Sequence, residues 1–255
     1  MQEKILHNFN EHALYIPGET KGMQVFRQPH LCYVDAGLSC DTFNIIHITR
    51  GDGLLLEEIR EALMYFRERE LAYCVWVSRE NLTEQVLGYF NTLQLDKQNT
   101  EPGMVMDLSL YQPVYRENHA QIVVAGDIGR IADFAAVIAA NWTPADKNVL
   151  LYYERTADRY LAAANRVELL VYYEQGIPVA TVEIFATDAD TVGLYALATH
   201  AVYRGKGIGS SLMYYALNRV KAKGYRHVIL QASEDGIGIY RKLGFEEHTV
   251  YYEYA

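Results

Sequence analysis

Apolar and polar positions follow two different periods along the chain, and each change of period marks an element. Residues 122–125 read as a strand. Asp127 stands where a helix cap is expected, ahead of Ile131, Phe134, Ala135 and Ile138 at helical spacing. A second helix is predicted over 147–164. Strands follow at 167–174, 179–186 and 191–199, separated by the turn Gln175-Gly176-Ile177-Pro178 and a turn at 188–190. Spacing this close predicts an antiparallel meander. Over 207–223, Ile208, Leu212, Ala216 and Val220 recur every four residues with Met213 and Leu217 beside them, the stripe a helix lays against a sheet. Gly224 ends that helix. A strand at 227–231, a short helix at 236–243 stopped by Gly244 and a strand at 245–254 complete this half.

The first half repeats the rhythm with weaker punctuation. Strands are predicted at 31–35, 43–48, 73–77 and 104–110. A helix over 55–69 places Leu55, Ile59, Leu63 and Phe66 on one side and Glu57, Glu58, Glu61 and Glu68 elsewhere. Another covers 81–93 with Asn81 as its cap. The polar, proline-containing segment 113–119 separates the halves and sets expected domains at 1–118 and 119–255.

A chain of 255 residues, half of them hydrophobic, can bury a full core in one large or two small domains. No apolar run reaches the ~18 residues of a membrane span. Residues 1–10 lack the charged, apolar and small-residue regions of a secretory leader. The expectation is a cytoplasmic protein with no membrane partner. Cys32, Cys40 and Cys74 are odd in number and widely spaced, so neither a disulfide framework nor a metal site is expected. The net charge of −9 with no basic block argues against a nucleic-acid partner. It could draw a cationic substrate such as an amine, or serve solubility alone. The tyrosines, though 21 in number, are scattered as packing residues would be.

Chemistry concentrates in Leu197-Ala198-Thr199-His-Ala-Val-Tyr-Arg204-Gly205-Lys206-Gly207-Ile208-Gly209-Ser210. A strand enters a glycine-rich turn that opens an amphipathic helix. Free N–H groups at such a helix start bind anions, and glycines let the backbone approach a diphosphate. Arg204 and Lys206 add positive charge. A dinucleotide fingerprint fails because Ser210 holds its third glycine position, and no Gly-Lys-Ser/Thr occurs. The pattern that fits is Arg-x-x-Gly-x-Gly, here Arg204, Gly207 and Gly209. It resembles the pyrophosphate-binding motif of the GNAT superfamily of N-acyltransferases. Downstream, Ser233-Glu-Asp-Gly-Ile-Gly-Ile-Tyr240-Arg-Lys-Leu-Gly244-Phe245 is similar to that family's closing motif. The resemblance covers 121–255. Ser233 stands in place of the common asparagine, Gly236 in place of the usual alanine, and Ala201 where proline is frequent.

The resemblance implies acetyl-CoA as donor and a primary amine, on a small molecule or peptide, as acceptor. Strand 195–199 would splay from its neighbour, and the backbone of Leu197, Ala198 and Thr199 would pair with pantetheine. Residues 204–210 would hold the pyrophosphate and Ser233 would bond the pantetheine arm. A backbone N–H would polarise the thioester carbonyl. The amine would attack directly, and Tyr240 would protonate the leaving thiolate. Glu183, between Val182 and Ile184 in mid-strand, is a candidate base. A solvent-facing carboxylate is the plainer account of it, and His200 is a rival. Tyr251 and Tyr252 border the acceptor cleft or simply pack. In the first half, Asp41-Thr-Phe-Asn44-Ile-Ile and Gly103-Met-Val-Met-Asp107-Leu resemble the degenerate leading copy of tandem GNAT-like proteins. With no Arg-x-x-Gly-x-Gly before residue 120, that copy is not expected to bind CoA in the usual way. The expected fold is α+β (mixed α/β), two tandem GNAT-like domains, each a central mostly antiparallel sheet flanked by helices. The alternative to an enzyme is a catalytically idle acyl-CoA-binding sensor or scaffold, and a longer acyl donor stays open.

Overall fold

A computed structural model describes residues 1–164 and 166–255. In chain order its elements are α1 (Gln2–Gly18), β1 (Gln24–Arg27), β2 (Leu31–Asp35), β3 (Ile45–Ile48), α2 (Leu56–Arg67), β4 (Cys74–Ser78), α3 (Glu84–Thr92) and β5 (Lys97–Asp107). Then come β6 (Ile122–Val124), α4 (Ile128–Ala139), α5 (Lys147–Ala162), β7 (Val167–Glu174), β8 (Ile177–Ala186), β9 (Thr191–Thr199), α6 (Ile208–Ala222), β10 (His227–Gln231), α7 (Ile237–Leu243) and β11 (Glu246–Tyr254). Packing divides the chain into Met1–Met104 with Gln231–Ala255, and Val105–Leu230. The sequence break near 118 follows polarity along the chain. Compactness follows strand pairing, and β11 pairs antiparallel with β4 far upstream, as Tyr251↔Ser78 through Tyr254↔Val75.

In the first unit, β1, β2 and β3 form an antiparallel run, and β3 then pairs in parallel with β4. On the far side of β11, Asp96 and Ala255 exchange backbone hydrogen bonds of 3.0 and 3.1 Å. Strand alternation sends Leu31, Tyr33, Ile46 and Val75 into a core with Phe66 of α2 and Phe90 of α3. The other face carries Cys32 and Val34, which meet Leu14 of α1. All three cysteines are buried, outside any disulfide.

In the second unit, β6, β7, β8 and β9 form the predicted antiparallel meander, and β9 pairs in parallel with β10. Each unit thus has a parallel pair, β3–β4 or β9–β10, joined through a helix. The α6 stripe is buried as its spacing predicts, from Ile208 through Leu212 and Ala216 to Val220. Asp127 caps α4 by accepting from the Arg130 N–H at 2.9 Å.

Three expectations change. Asn81 does not cap α3: Thr83 does, accepting from Val86 N at 3.2 Å. The Asn81 side chain instead clamps a loop, accepting from Gly51 N at 3.1 Å and donating to Thr49 O at 3.1 Å. The strand expected at 104–110 is Lys97–Asp107, because Ser109 and Leu110 lie in a turn held by Asp107. Helix α1 and strand β1 escaped the periodicity altogether. Buried Asn8 interrupts the apolar side of α1, and β1 has only four residues.

Phe9 of α1 packs on His47 of β3 at 4.7 Å between ring centroids and on Tyr251 of β11 at 5.0 Å. His47 is buried with neither ring nitrogen hydrogen-bonded, and burial lowers its pKa from 6.5 to about 3. The unfolded chain therefore binds a proton that the folded chain refuses, and stability falls as pH drops from about 6.5 towards 3. The expected slope from this residue is about 1.4 kcal/mol per pH unit inside that window. Urea unfolding at pH 7 and pH 5 should show a flatter pH dependence in His47→Leu; an unchanged slope would remove His47 as its source.

Candidate active site

Four of the longer helices close their first turns with their own side chains. Thr83, Asp127 and Asp146 accept from backbone N–H groups at the starts of α3, α4 and α5. Glu58 does so for α2, accepting from Leu55 N at 2.9 Å. At α6 the cap position is Gly207, which has no side chain, so the first N–H groups of Ile208, Gly209 and Ser210 have no intrahelical acceptor. Gly205 and Gly207 both lie in the left-handed region, at φ +75° and +77°, where a side chain is strained. Residues 204–207 are exposed. The Arg204 guanidinium donates to Thr199 O at 3.0 Å and Asn141 Oδ1 at 3.2 Å, pinning the turn to the end of β9. Lys206 Nζ stands 4.9 Å above the Tyr203 ring. Free helix-start N–H groups and nearby cations are the chemistry that suits an anion.

The strand feeding this turn opens where expected. Among the described residues, β9 pairs with β10 over Thr191–Gly193, and Leu194 to Thr199 have no ladder on that edge. On its other edge β9 bulges against β8. Glu183 pairs with Tyr195 and Thr181 with Ala198, so three steps on β9 face two on β8. Ala196 takes up the extra residue at φ +51°, and its carbonyl accepts from Thr181 Oγ1 at 3.0 Å. Leu197, Ala198 and Thr199 are half-buried beside the open edge. Unpaired strand backbone invites a ligand able to hydrogen-bond as a strand does.

Glu183 is not solvent-facing: it is buried, on the sheet face opposite Glu168. Tyr152, Tyr153 and Tyr160 of α5 lie within electrostatic reach of its charge, and burial followed by that charge raises all three phenols. On the opposite face Glu168 of β7 pairs with Arg219 and Lys223 of α6. His200 is half-buried against Tyr203, with Nδ1 lacking a partner among the described residues. The sequence reading missed the three tyrosines, whose spacing at 152, 153 and 160 reads as ordinary helix burial.

Ser233 and Tyr240 belong to the first unit. Ser233 Oγ accepts from Gly236 N at 3.3 Å. Tyr240 is buried with its ring against Phe245. A Cβ on Gly236 would fall 2.9 Å from Tyr240 Cε2 and 3.2 Å from its hydroxyl oxygen, so the ring favours glycine at this position. Burial, then the nearby charge of Glu101, raises the Tyr240 phenol well above its ordinary value. Glu101 on β5 was not singled out by sequence. Burial and the like charge of Glu253 push its carboxyl up to about 7 against the lowering hydrogen bond from Asn99. Tyr251 and Tyr252 pack within this unit, Tyr251 on Phe9 and Tyr252 at the core beside Tyr254.

The first unit also carries a glycine turn after its own parallel-pairing strand, Arg50-Gly51-Asp52-Gly53, ahead of α2. Gly53 is left-handed at φ +79°, as Gly207 is at +77°. Asp52 stands where the later turn has Lys206. The Glu58 carboxylate fills the helix start, held by His30 Nδ1 at 2.9 Å, while Arg50 Nη2 donates to His30 Nε2 at 2.7 Å. Burial opposes that charge, but the His30 and Leu55 hydrogen bonds outweigh it and lower the carboxyl's pKa.

Residues 132–245 match the family described as Acetyltransferase (GNAT) family. A mycothiol acetyltransferase of Corynebacterium glutamicum (strain R) is 38% identical over 64 residues, which span 23% of this chain and 22% of that protein's length. The fold resembles a GCN5-related N-acetyltransferase from Kribbella flavida, with a TM-score of 0.71 at 14% identity over 98% of this chain and 93% of that one. It also resembles a tandem GNAT protein from the clavulanic acid biosynthesis pathway, with a TM-score of 0.57 at 12% identity over 99% and 94%. The open β9 edge, the uncapped α6 and the motif residues all fall inside residues 132–245, the segment that matches the Acetyltransferase (GNAT) family.

Proposed function

We propose that this chain is an N-acetyltransferase that moves the acetyl group of acetyl-CoA to a primary amine of a small molecule or peptide by direct attack. The observation that carries this reading is the uncapped start of α6 behind Gly205 and Gly207, next to the unladdered edge of β9. Backbone groups of Leu197, Ala198 and Thr199 would pair with the pantetheine arm, and Arg204 to Ser210 would hold the diphosphate. Ser233, exposed beside α7, is assigned to the arm as well. Glu183 is assigned as the base that takes a proton from the acceptor ammonium. The amine nitrogen then bonds to the acetyl carbon, the C–S bond breaks, Tyr240 gives its proton to the departing thiolate, and the second proton the nitrogen sheds on becoming an amide restores the Tyr240 phenol. The raised phenol of Tyr240 suits a group that must stay protonated until that moment.

The halves 1–118 and 119–255 are read as two copies of one fold, supported by the matching parallel pairs and glycine turns. The first copy is assigned no donor site, because Glu58 occupies the start of α2. Buried cysteines outside any disulfide suit a cytoplasmic location. Gly209→Asp places bulk and negative charge at the anion site. It is expected to weaken acetyl-CoA binding at least tenfold, about 1.4 kcal/mol, with little loss of thermal stability. Calorimetric titration of a folded variant checks this, and unchanged affinity would end the assignment. Thiol release from acetyl-CoA across a panel of amines and peptides tests the reaction. Tight binding without release from any acceptor would favour an idle acyl-CoA sensor.

A further inference from the structure

The polar segment 113–119 reads in the sequence as a bare connector, but within the second unit it is bound along α6. Positions 207, 211, 214 and 218 follow helical spacing and form one stripe of that helix, apart from the buried stripe at 208, 212, 216 and 220. At the far end of the stripe, Asn218 Nδ2 donates to Val114 O at 2.6 Å and Asn218 Oδ1 accepts from Val114 N at 3.1 Å. One turn back, the Arg116 guanidinium lies over the Tyr214 ring at 4.6 Å. Nearer the helix start, Ser211 Oγ donates to Asn118 Oδ1 at 2.5 Å. The connector is therefore fastened on both sides of Arg116.

This anchoring directs Arg116 along the stripe towards the glycine turn. Its Nη1 would lie 3.9 Å from a Cβ built on Gly207, the residue that leaves the first N–H groups of α6 uncapped. The side chain is exposed and has no ion pair among the described residues. The two cations of the turn itself are placed differently. Arg204 directs donors to Thr199 O and Asn141 Oδ1, and Lys206 lies over the Tyr203 ring. We infer that Arg116 is a further cation of the donor site, contacting the diphosphate of acetyl-CoA at the start of α6 from a segment outside the glycine motif. The inference deepens the donor assignment and rests on it. The diphosphate is the group named, because Gly207 belongs to the turn whose backbone it would approach. A planar guanidinium meets phosphate oxygens with two parallel N–H donors, and stacking on Tyr214 fixes its plane beforehand, so less freedom is lost on binding.

The test is calorimetric titration of the full chain with acetyl-CoA and with the analogue that lacks the ribose phosphate but keeps the diphosphate. Arg116→Gln removes the charge from an exposed side chain, so thermal unfolding should match the wild type. Affinity is expected to fall about tenfold for both donors. The gap from the wild type should narrow as salt is raised, because exposed charges are screened. Unchanged affinity for both donors overturns the contact. A loss confined to acetyl-CoA moves Arg116 to the ribose phosphate and overturns the diphosphate assignment. A loss that salt does not narrow makes Arg116 a packing residue and overturns the inference as well. Failure of the wild-type chain to bind acetyl-CoA is a separate result, which ends the donor assignment on which the inference rests.

Discussion

Replacing Tyr240 with phenylalanine is expected to slow single-turnover acetyl transfer roughly 10- to 100-fold while leaving acetyl-CoA affinity nearly unchanged. The hydroxyl is the only group removed, and the ring contacts with Phe245 and Gly236 persist. Packing should therefore change little. Burial and Glu101 both hold the phenol protonated, so at neutral pH the whole population carries the proton that the proposed step requires. A thiolate is a fair leaving group unaided, which sets the lower bound, about 1.4 kcal/mol of barrier, and full general acid catalysis sets the upper, about 2.7 kcal/mol. Single-turnover kinetics separates this step from product release. A wild-type rate would reduce Tyr240 to a packing residue.

Gly51→Ala is expected to have the largest effect on stability, about 3 kcal/mol, or roughly 10 °C in Tm for a chain of this size. An added Cβ would lie 2.0 Å from the Asn81 carbonyl oxygen and 2.8 Å from its carbonyl carbon. Those are backbone atoms. They cannot swing aside, because the Asn81 side chain is tied to Gly51 N and Thr49 O. Relief would require breaking the clamp between the β3–α2 loop and the start of α3. Gly88→Ala is the matched control. Gly88 lies within α3 with no neighbour inside 4 Å, and alanine there should be neutral or stabilising by about 0.5–1 kcal/mol. Thermal unfolding of both variants checks the pair, and equal Tm values would show that the clamp yields.

Local chemistry was legible in the sequence, and chemistry assembled across distance was not. The turn at 204–209 announces itself because glycine backbone freedom and helix-start N–H groups are properties of neighbouring residues. The α6 stripe, the meander strands at 167–174 and 191–199 and the Asp127 cap are local in the same way. Glu183 reads as an exposed carboxylate until the sheet buries it in the folded unit. Glu101 gains its near-neutral carboxyl from Glu253, far along the chain on β11. Asn81, with the right chemistry to cap a helix, is drawn to a loop thirty residues earlier because Thr83 caps α3 in its place. The Arg50 turn was passed over because it carries Asp52 and no second glycine after Gly53. Only the Glu58–His30–Arg50 chain reveals a helix start already satisfied from within.

The placement of β11 between β4 and β5 reverses the order in which the chain can mature. During synthesis the strands from β1 to β5 emerge first, yet β4 and β5 have no neighbour to share until residue 254 has been made. Two sheet edges of the first unit therefore wait, with unpaired N–H and C=O groups, while the whole of Val105–Leu230 is translated and folds. That intervening stretch is local in its contacts and can close early, whereas the first unit is completed by the most sequence-distant pairing in the molecule. The nascent chain is thus most exposed to aggregation late in its synthesis. A chain halted once residue 230 has left the ribosome would carry a completed second unit attached to an open sheet.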